Sequence, residues 1–138
     1  MNDQESGAAT ENRFLHLMST KVSYTPGWYL QTAKAESEWD HRGIDFFVYI
    51  AHKKGGDPVK VPVQIKSSEN GARKFRRTHS SHRTGNILLF VVTPQKTDKD
   101  VRRMVYACLS RVRESGKRYD GYYAQELAKA EAHWKSRT

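Results

Sequence analysis

The sequence predicts an α/β domain in which a central mixed β-sheet is flanked by helices. Two runs, 44–50 and 59–66, alternate apolar and polar residues, as half-buried strands do. A third run, 87–92, is continuously apolar and is typical of a strand covered on both faces. Stretches of helical period lie before and after these strands. The expected order is α-β-β-β-loop-β-α-α, with the helices packed on one sheet.

The first predicted helix runs from about residue 10 to residue 22. Its apolar stripe recurs at helical spacing and consists of Phe14, Leu15, Met18 and Val22. The turn residues 24–27 end it, and 28–32 has the aromatic and β-branched content of a strand. Residues 1–9 have no such pattern, so we expect a flexible N-terminal tail followed by a single domain over 10–138.

The two alternating runs predict a hairpin with a functional face. Ile44, Phe46, Val48 and Ile50 are expected on one face with the odd-numbered valines of the second run and Ile65. To share that face, even-numbered residues of the first strand must pair with odd-numbered residues of the second. A loop centred on Gly55 then places Asp45 opposite Gln64 or Lys66, so three polar side chains converge on the other face.

The remaining elements follow in order. Residues 67–85 lack a hydrophobic period and are interpreted as a long functional or mobile loop before the strand at 87–92. The segment 97–100 has capping-box form, and a helix with Cys108 on its apolar side follows it until Gly116. Asp120 is the expected cap of a final helix whose stripe ends at Trp134.

Composition narrows the functional classes. A single cysteine excludes a disulfide framework and a cysteine metal site. No apolar run approaches the ~20 residues that span a bilayer, and the first residues lack the pattern of a signal peptide, so we expect a cytoplasmic protein without a membrane partner. The formal charge of +9 favours a polyanionic partner, above all nucleic acid, although a basic balance also serves solubility.

The converging polar set suggests a divalent cation. Burying a carboxylate, an amide and a lysine without compensation is costly, and a cation would offset that cost. Asp45 and the side-chain oxygen of Gln64 are hard ligands, the backbone carbonyl near Ile65 is a third, and Mg²⁺ or Mn²⁺ suits such oxygens. Lys66 would then activate the attacking water or stabilise charge on a phosphate.

The segments Gly-Ile-Asp at 43–45 and Val-Pro-Val-Gln-Ile-Lys-Ser-Ser at 61–68 resemble the PD-(D/E)XK nuclease superfamily, particularly small domains of the Holliday-junction-resolvase type. The resemblance covers roughly residues 10–93. It implies a restriction-endonuclease-like fold and metal-dependent phosphodiester hydrolysis. Asp45 matches the strand aspartate, Gln64 and Lys66 match the (E/Q)-x-K tripeptide, and Glu11 is the positional candidate for a glutamate from the preceding helix.

Gln64 stands where a glutamate is commoner, which removes one negative charge from the site. Catalysis would then depend on other carboxylates, and Asp40, in the turn before the strand, is the favoured candidate. Glu36 and Glu38 are interpreted as solvated loop charges. The alternative is an ordinary hairpin whose polar side faces solvent.

The basic segment after the second strand is expected to hold the nucleic-acid backbone, since phosphate contacts come mostly from arginine and lysine. The residues assigned to that role are Ser67, Arg73, Lys74, Arg76, Arg77, His79 and Arg83. A solvated charged loop is the other interpretation, and a zinc site at His79 and His82 lacks a third ligand.

Three hypotheses follow. The first is a Mg²⁺-dependent endonuclease acting on nucleic acid, with DNA as the expected substrate. The second is a nucleic-acid-binding module that keeps the fold without hydrolysis. The third is a homodimeric interaction protein that associates through the final helix, although relatives of the resolvase type are often dimers as well.

Overall fold

The protein is described by a computed structural model over residues 3–36, 43–78 and 87–115. In these ranges it is an α/β chain with a four-stranded mixed sheet, as the sequence predicts. In chain order the elements are α1 (Asp3–Ser19), β1 (Tyr29–Lys34), β2 (Phe46–Ile50), β3 (Val59–Lys66), α2 (Glu69–Thr78), β4 (Leu88–Val91) and α3 (Asp98–Ser115).

The sheet has the strand order β1-β2-β3-β4. The first three strands are antiparallel neighbours, and β4 runs parallel to β3. Val48 faces Val61 and Phe46 faces Val63, so even residues of β2 pair with odd residues of β3. This confirms the predicted parity; the observed register extends from Phe46 to Ile50 and is interrupted before Asp45, whose N–H bonds to the carbonyl of Val63.

A loop over residues 51–58 joins β2 to β3. Within it the N–H of Gly55 donates to the carbonyl of His52 at 3.0 Å, which closes a turn. Gly55 and Gly56 have φ angles of 83° and 89°, a region that residues with a Cβ rarely adopt, so the chain reverses where glycine permits it.

One face of the sheet forms the main core with α1 and α3. The β2 and β3 residues predicted to share a face, from Phe46 and Val48 to Ile65, are buried there. Phe14 of α1 is fully buried, and its ring lies 5.1 Å from the ring of Phe46 and 6.3 Å from that of Phe90, centroid to centroid. Helix α1 therefore packs across this face of the sheet and contacts the central strand β2 as well as the edge strand β4.

Ile44 departs from the predicted face. It packs in a second, smaller cluster with Ala35, Phe47 and Ile87, on the opposite side from Phe46. The N–H of Asp45 donates to the carbonyl of Val63 at 2.8 Å, although Val63 already faces Phe46 in the ladder. Asp45 is thus an additional residue at the start of the strand, as in a β-bulge. Residues before such a bulge face the side opposite to the one that strict alternation predicts.

The first helix is longer than its apolar stripe predicts. It begins at Asp3, so that residues 3–9, expected to be a flexible tail, are helical, and it ends at Ser19, before Val22. Phe14, Leu17 and Met18 are its buried residues.

The segment after β3 corrects the prediction of a loop over 67–85, because residues 69–78 form helix α2. The Oγ of Ser68 accepts a hydrogen bond from the N–H of Gly71 at 3.0 Å, which satisfies one free donor of the first turn. Ala72 and Phe75 are buried one turn apart. These two are its only apolar residues besides Gly71, so the helix shows no extended apolar stripe, although its exposed charged residues lie on the face opposite the buried pair.

Strand β4 is less covered than its apolar sequence indicates. It is an edge strand of the described sheet, and Leu88 and Leu89 are only half-buried, whereas Phe90 and Val91 are buried. A strand enclosed by helices on both faces would bury all four.

Helix α3 follows the sequence prediction closely. The Oγ1 of Thr97 accepts a hydrogen bond from the N–H of Asp100 at 3.1 Å, which is the N-cap that the capping box predicts. Cys108 lies on this helix, half-buried. The helix predicted after Asp120 lies outside the described residues. Within the described ranges, no helix combines the length and the apolarity that crossing a bilayer requires.

Candidate active site

A cleft opens at one end of the sheet, where β3 ends and the chain enters β2. It comprises two cavities of about 370 and 790 Å³ that share the lining residues Glu11, Asp45, Gln64, Lys66 and Phe75. Helix α1 borders the cleft on one side and α2 on the other. The three polar residues that the strand pattern predicts to converge therefore line one cavity, together with a second carboxylate.

Asp45 is fixed by hydrogen bonds from both neighbouring strands. The N–H of Ile65 donates to its Oδ2 at 2.9 Å, and its backbone carbonyl accepts from the N–H of Ala35 at 2.9 Å. One carboxylate oxygen is thereby held against β3. The side chain as a whole is only half-buried and lines the cleft.

Gln64 is the most buried polar residue of the site, with 6% of its surface exposed. Its amide Nε2 contacts the carbonyl of Ile65 at 3.4 Å, which orients the amide so that Oε1 is the other end. Among the described residues, none donates a hydrogen bond to that Oε1. A buried acceptor of this kind costs free energy unless water in the cleft, a cation or a donor from outside the described residues reaches it.

Lys66 is the last residue of β3 and is half-buried. Its ammonium lies 5.5 Å from the ring centroid of Phe75, within the range of a cation–π contact. In the part of the chain that the structure describes, no carboxylate pairs with it. Among the described residues, the ammonium is thus held at the cleft by the ring of Phe75 and is not paired with a carboxylate.

Glu11 enters the cleft from α1, half-buried and one turn before the core residue Phe14. Arg13, two residues on, secures this part of the helix, because its guanidinium donates to the carbonyl of Thr93 at 3.0 Å and to Asp98 at 3.1 Å. The position of Glu11 is therefore set by contacts on both sides of the helix. It was expected in the site only through the resemblance, and the structure places it in the same cleft as Asp45.

The donor set suits a single hard cation. The carboxylates of Asp45 and Glu11 and the buried Oε1 of Gln64 are oxygen ligands of the kind that Mg²⁺ and Mn²⁺ prefer. The carbonyl of Ile65, proposed as a further ligand, already receives the weak contact from Gln64. Across the described ranges, no three His, Cys, Asp or Glu side chains come together as a metal site. Gln64 is therefore necessary to complete the set that these residues offer.

A basic stripe follows the cleft along α2. Its exposed residues lie on one face of the helix and are Asn70, Arg73, Lys74 and Arg77. Lys74 also lines the larger cavity. The guanidinium of Arg73 donates to the side chain of Asn70. Ser67, assigned to phosphate contact, lines the same cavity, half-buried. The basic residues that were expected on a loop are thus held in a fixed row.

Several predicted site residues lie outside the described residues, so their placement stays a prediction: Asp40, His79 and Arg83. Arg76 belongs to α2. Glu36, interpreted as a solvated charge, is exposed.

The lining residues that the sequence pattern did not identify include Lys34 at the end of β1 and Asn70 and Gly71 in α2. A signal for the α2 pair was present. Ser68 followed by Glu69 has the form of an N-cap with an acid in the first turn. The signal for Lys34 is absent from the sequence, since only strand pairing brings β1 to the cleft.

No protein-family model, no curated protein and no solved structure matches this chain significantly.

Proposed function

We propose that the protein is a metal-dependent endonuclease that hydrolyses phosphodiester bonds of nucleic acid, with DNA as the expected substrate and a restriction-endonuclease-like fold. The observation that carries the proposal is the cleft itself. Asp45, Glu11 and the buried Oε1 of Gln64 offer oxygen ligands at the point where the ammonium of Lys66 stands without a carboxylate partner among the described residues.

The residues divide into two roles. Asp45, Glu11 and Gln64 would hold Mg²⁺ or Mn²⁺, and a bound cation would supply Lewis-acid stabilisation of the charge that develops on the attacked phosphate. Lys66 donates hydrogen bonds to a phosphate oxygen, because its ammonium has three donors and lies at the cleft. The hydrogen bond from Ile65 keeps Asp45 in one orientation, so little reorganisation is needed when the substrate binds.

The basic stripe of α2 supports a polyanionic substrate. Arg73 and Arg77 are one helical turn apart, about 6 Å along the helix axis at 1.5 Å per residue. Exposed arginines in such a row bind successive phosphates of a strand without reading bases. They would guide the backbone toward Lys66, whose side chain lies against α2 in the same cleft.

The direct test is cleavage by the purified protein. With Mg²⁺ or Mn²⁺ it should nick plasmid or branched DNA, and Lys66→Ala should abolish nicking. Lys60→Ala is the matched control, since Lys60 is an exposed lysine of the same strand that does not line the cleft. Nicking by Lys66→Ala at the rate of Lys60→Ala would contradict the assignment.

One observation favours the alternative of a binding module without hydrolysis. The described residues bring only two carboxylates to the cleft, and no group of three acidic, His or Cys side chains occurs among them. Salt-dependent DNA binding together with no heat of Mn²⁺ binding in calorimetry would support that alternative. A heat of Mn²⁺ binding that Asp45→Asn removes would support the nuclease.

A further inference from the structure

The side chain of Lys66 crosses the first turn of α2 in the structure. Gly71 is the residue it crosses: a side-chain carbon at that position would lie 3.7 Å from Cδ and 3.8 Å from Cβ of Lys66. One turn later the ring of Phe75 lies beneath the ammonium, 5.5 Å from its nitrogen. Gly71 and Phe75 therefore form a seat for Lys66: the aliphatic part of its side chain passes over Gly71, and its ammonium lies at the ring of Phe75.

This seat is the element that fixes the ammonium within the described residues. A lysine side chain has four flexible carbons and gains order only from what it touches. In the described ranges no ion pair or hydrogen bond holds the ammonium of Lys66, whereas the buried ring of Phe75 lies at the ammonium and Gly71, which has no side chain, lies beside the lysine stem. Phe75 itself is 5% exposed, so the residues packed around it restrict the movement of its ring.

We propose that Gly71 and Phe75 are positioning residues for Lys66, which place its ammonium for contact with the attacked phosphate. The proposal rests on the proposed function, since it assigns these residues a purpose in the same reaction. Neither residue touches the phosphate itself. Phe75 acts by attracting the cation to its face, and Gly71 acts by leaving room for the stem.

A purely structural role is the competing explanation, because Phe75 is also a core residue of α2. The sheet contains a matched pair that separates the two explanations. On β3 the ammonium of Lys60 lies 4.3 Å from the ring centroid of Phe47, which is also 5% exposed but does not line the cleft. Removing either ring takes away a cation–π partner and a similar amount of buried surface.

The test compares Phe75→Leu, Phe75→Tyr and the control Phe47→Leu. In protein labelled with ¹³C-lysine, the Cε–Hε signal of Lys66, assigned by its loss in Lys66→Arg, should be shifted upfield by the ring. Phe75→Leu should move it to the position of a free lysine, and Phe75→Tyr should keep it. The kcat for DNA nicking should fall roughly tenfold to a hundredfold in Phe75→Leu and be restored by Phe75→Tyr, with KM little changed.

Phe47→Leu should leave both the Lys66 signal and kcat unchanged. The proposal is overturned if Phe75→Leu leaves the Lys66 signal in place, or if it loses the signal shift and keeps the kcat of the wild type. Equal losses of kcat in Phe75→Leu and Phe47→Leu would also overturn it, since they would indicate general destabilisation. If the wild type cleaves no substrate, the proposed function fails, and the signal comparison still decides whether the ring holds Lys66.

Gly71 gives an independent steric series. The Cβ of Gly71→Ala would be in ordinary van der Waals contact with Lys66 and 3.2 Å from the Oγ of Ser68, which has only to shift slightly. Gly71→Leu would extend into the path of the lysine stem. We expect Gly71→Ala to keep the Lys66 signal and kcat and Gly71→Leu to lose both, and the opposite order would contradict the seat.

Discussion

The carboxylate of Asp45 accepts a hydrogen bond from the backbone N–H of Ile65 across two neighbouring strands, at 2.9 Å. Ile65 stands between Gln64 and Lys66, so this one bond fixes the aspartate relative to both of its proposed partners. It also gives Asp45 a structural role that is separable from any role in catalysis.

Substitutions at Asp45 should separate those roles. Asp45→Asn keeps an oxygen that can accept from Ile65, so the free energy of unfolding should change little. Asp45→Ala leaves the N–H of Ile65 without its acceptor and should cost about 1–3 kcal/mol. Both should lose DNA nicking, because neither retains the carboxylate. Urea unfolding and a plasmid assay measure the two effects, and nicking by Asp45→Asn would contradict the proposed cation site.

Gln64→Glu should make stability depend on the metal. A carboxylate at a position with 6% exposure is costly when unpaired, so the variant should unfold more easily than the wild type in EDTA. Mn²⁺ should restore its stability and bind more tightly in calorimetry than to the wild type. Gln31→Glu, at an exposed position of β1, is the matched control and should respond to neither. Equal Mn²⁺ affinity in wild type and Gln64→Glu would count against Gln64 as a ligand.

The basic stripe should contribute affinity without sequence preference. The double variant Arg73→Gln, Arg77→Gln should weaken DNA binding, and the slope of log K against log salt should become shallower by about 2, one for each phosphate that is no longer neutralised. The control is Arg103→Gln, Arg111→Gln, which removes the same charge from exposed positions of α3. Fluorescence anisotropy over a salt series measures both slopes. Identical slopes in the two double variants would indicate a nonspecific effect of net charge.

Tyr29 should make the protein lose stability at high pH. Burial raises its pKa from 10.0 to about 12, and a side-chain hydrogen bond with Thr32 acts in the opposite direction. Because the folded pKa lies above the unfolded one, the contribution to stability is complete below pH 10 and is lost as the pH rises toward about 12. Between pH 10 and about 12, the free energy of unfolding should fall by roughly 2 kcal/mol less in Tyr29→Phe than in the wild type.

Urea unfolding at several pH values between about 9 and 12 checks this expectation. Tyr24→Phe removes the same hydroxyl from a residue that is 36% exposed and should follow the wild type. Parallel curves for the wild type and Tyr29→Phe would contradict the assignment to Tyr29.

The strand pattern predicted the hairpin because a strand has a period of two. Once Val48 and Val61 must share a buried face, only registers of one parity remain, and the glycine turn reduces these to a few. That reasoning is local, and it brought Asp45 and Gln64 to one edge without any tertiary information. The prediction was wrong at Ile44, because the hydrogen bond from the N–H of the next residue, Asp45, to the carbonyl of Val63 interrupts the alternation.

Helix α2 was missed for a physical reason. Its composition is polar and basic, and Ala72 and Phe75 alone are its buried apolar residues. The N-cap at Ser68 and packing against β3 and β4 make it a helix, and two buried residues are too few to form the apolar stripe by which the other helices were predicted.

By itself, the sequence determined the mixed α/β composition, the pairing parity of β2 and β3, the N-cap of α3 and the excess of positive charge. Those features depend on residues a few positions apart, or on composition alone. Only the tertiary structure decided that Glu11 joins Asp45 in the cleft, that Gln64 is buried in its wall, and that Gly71 and Phe75 seat Lys66. These relationships join elements that are distant in the chain, and the packing of α1 and α2 around the end of the sheet creates them.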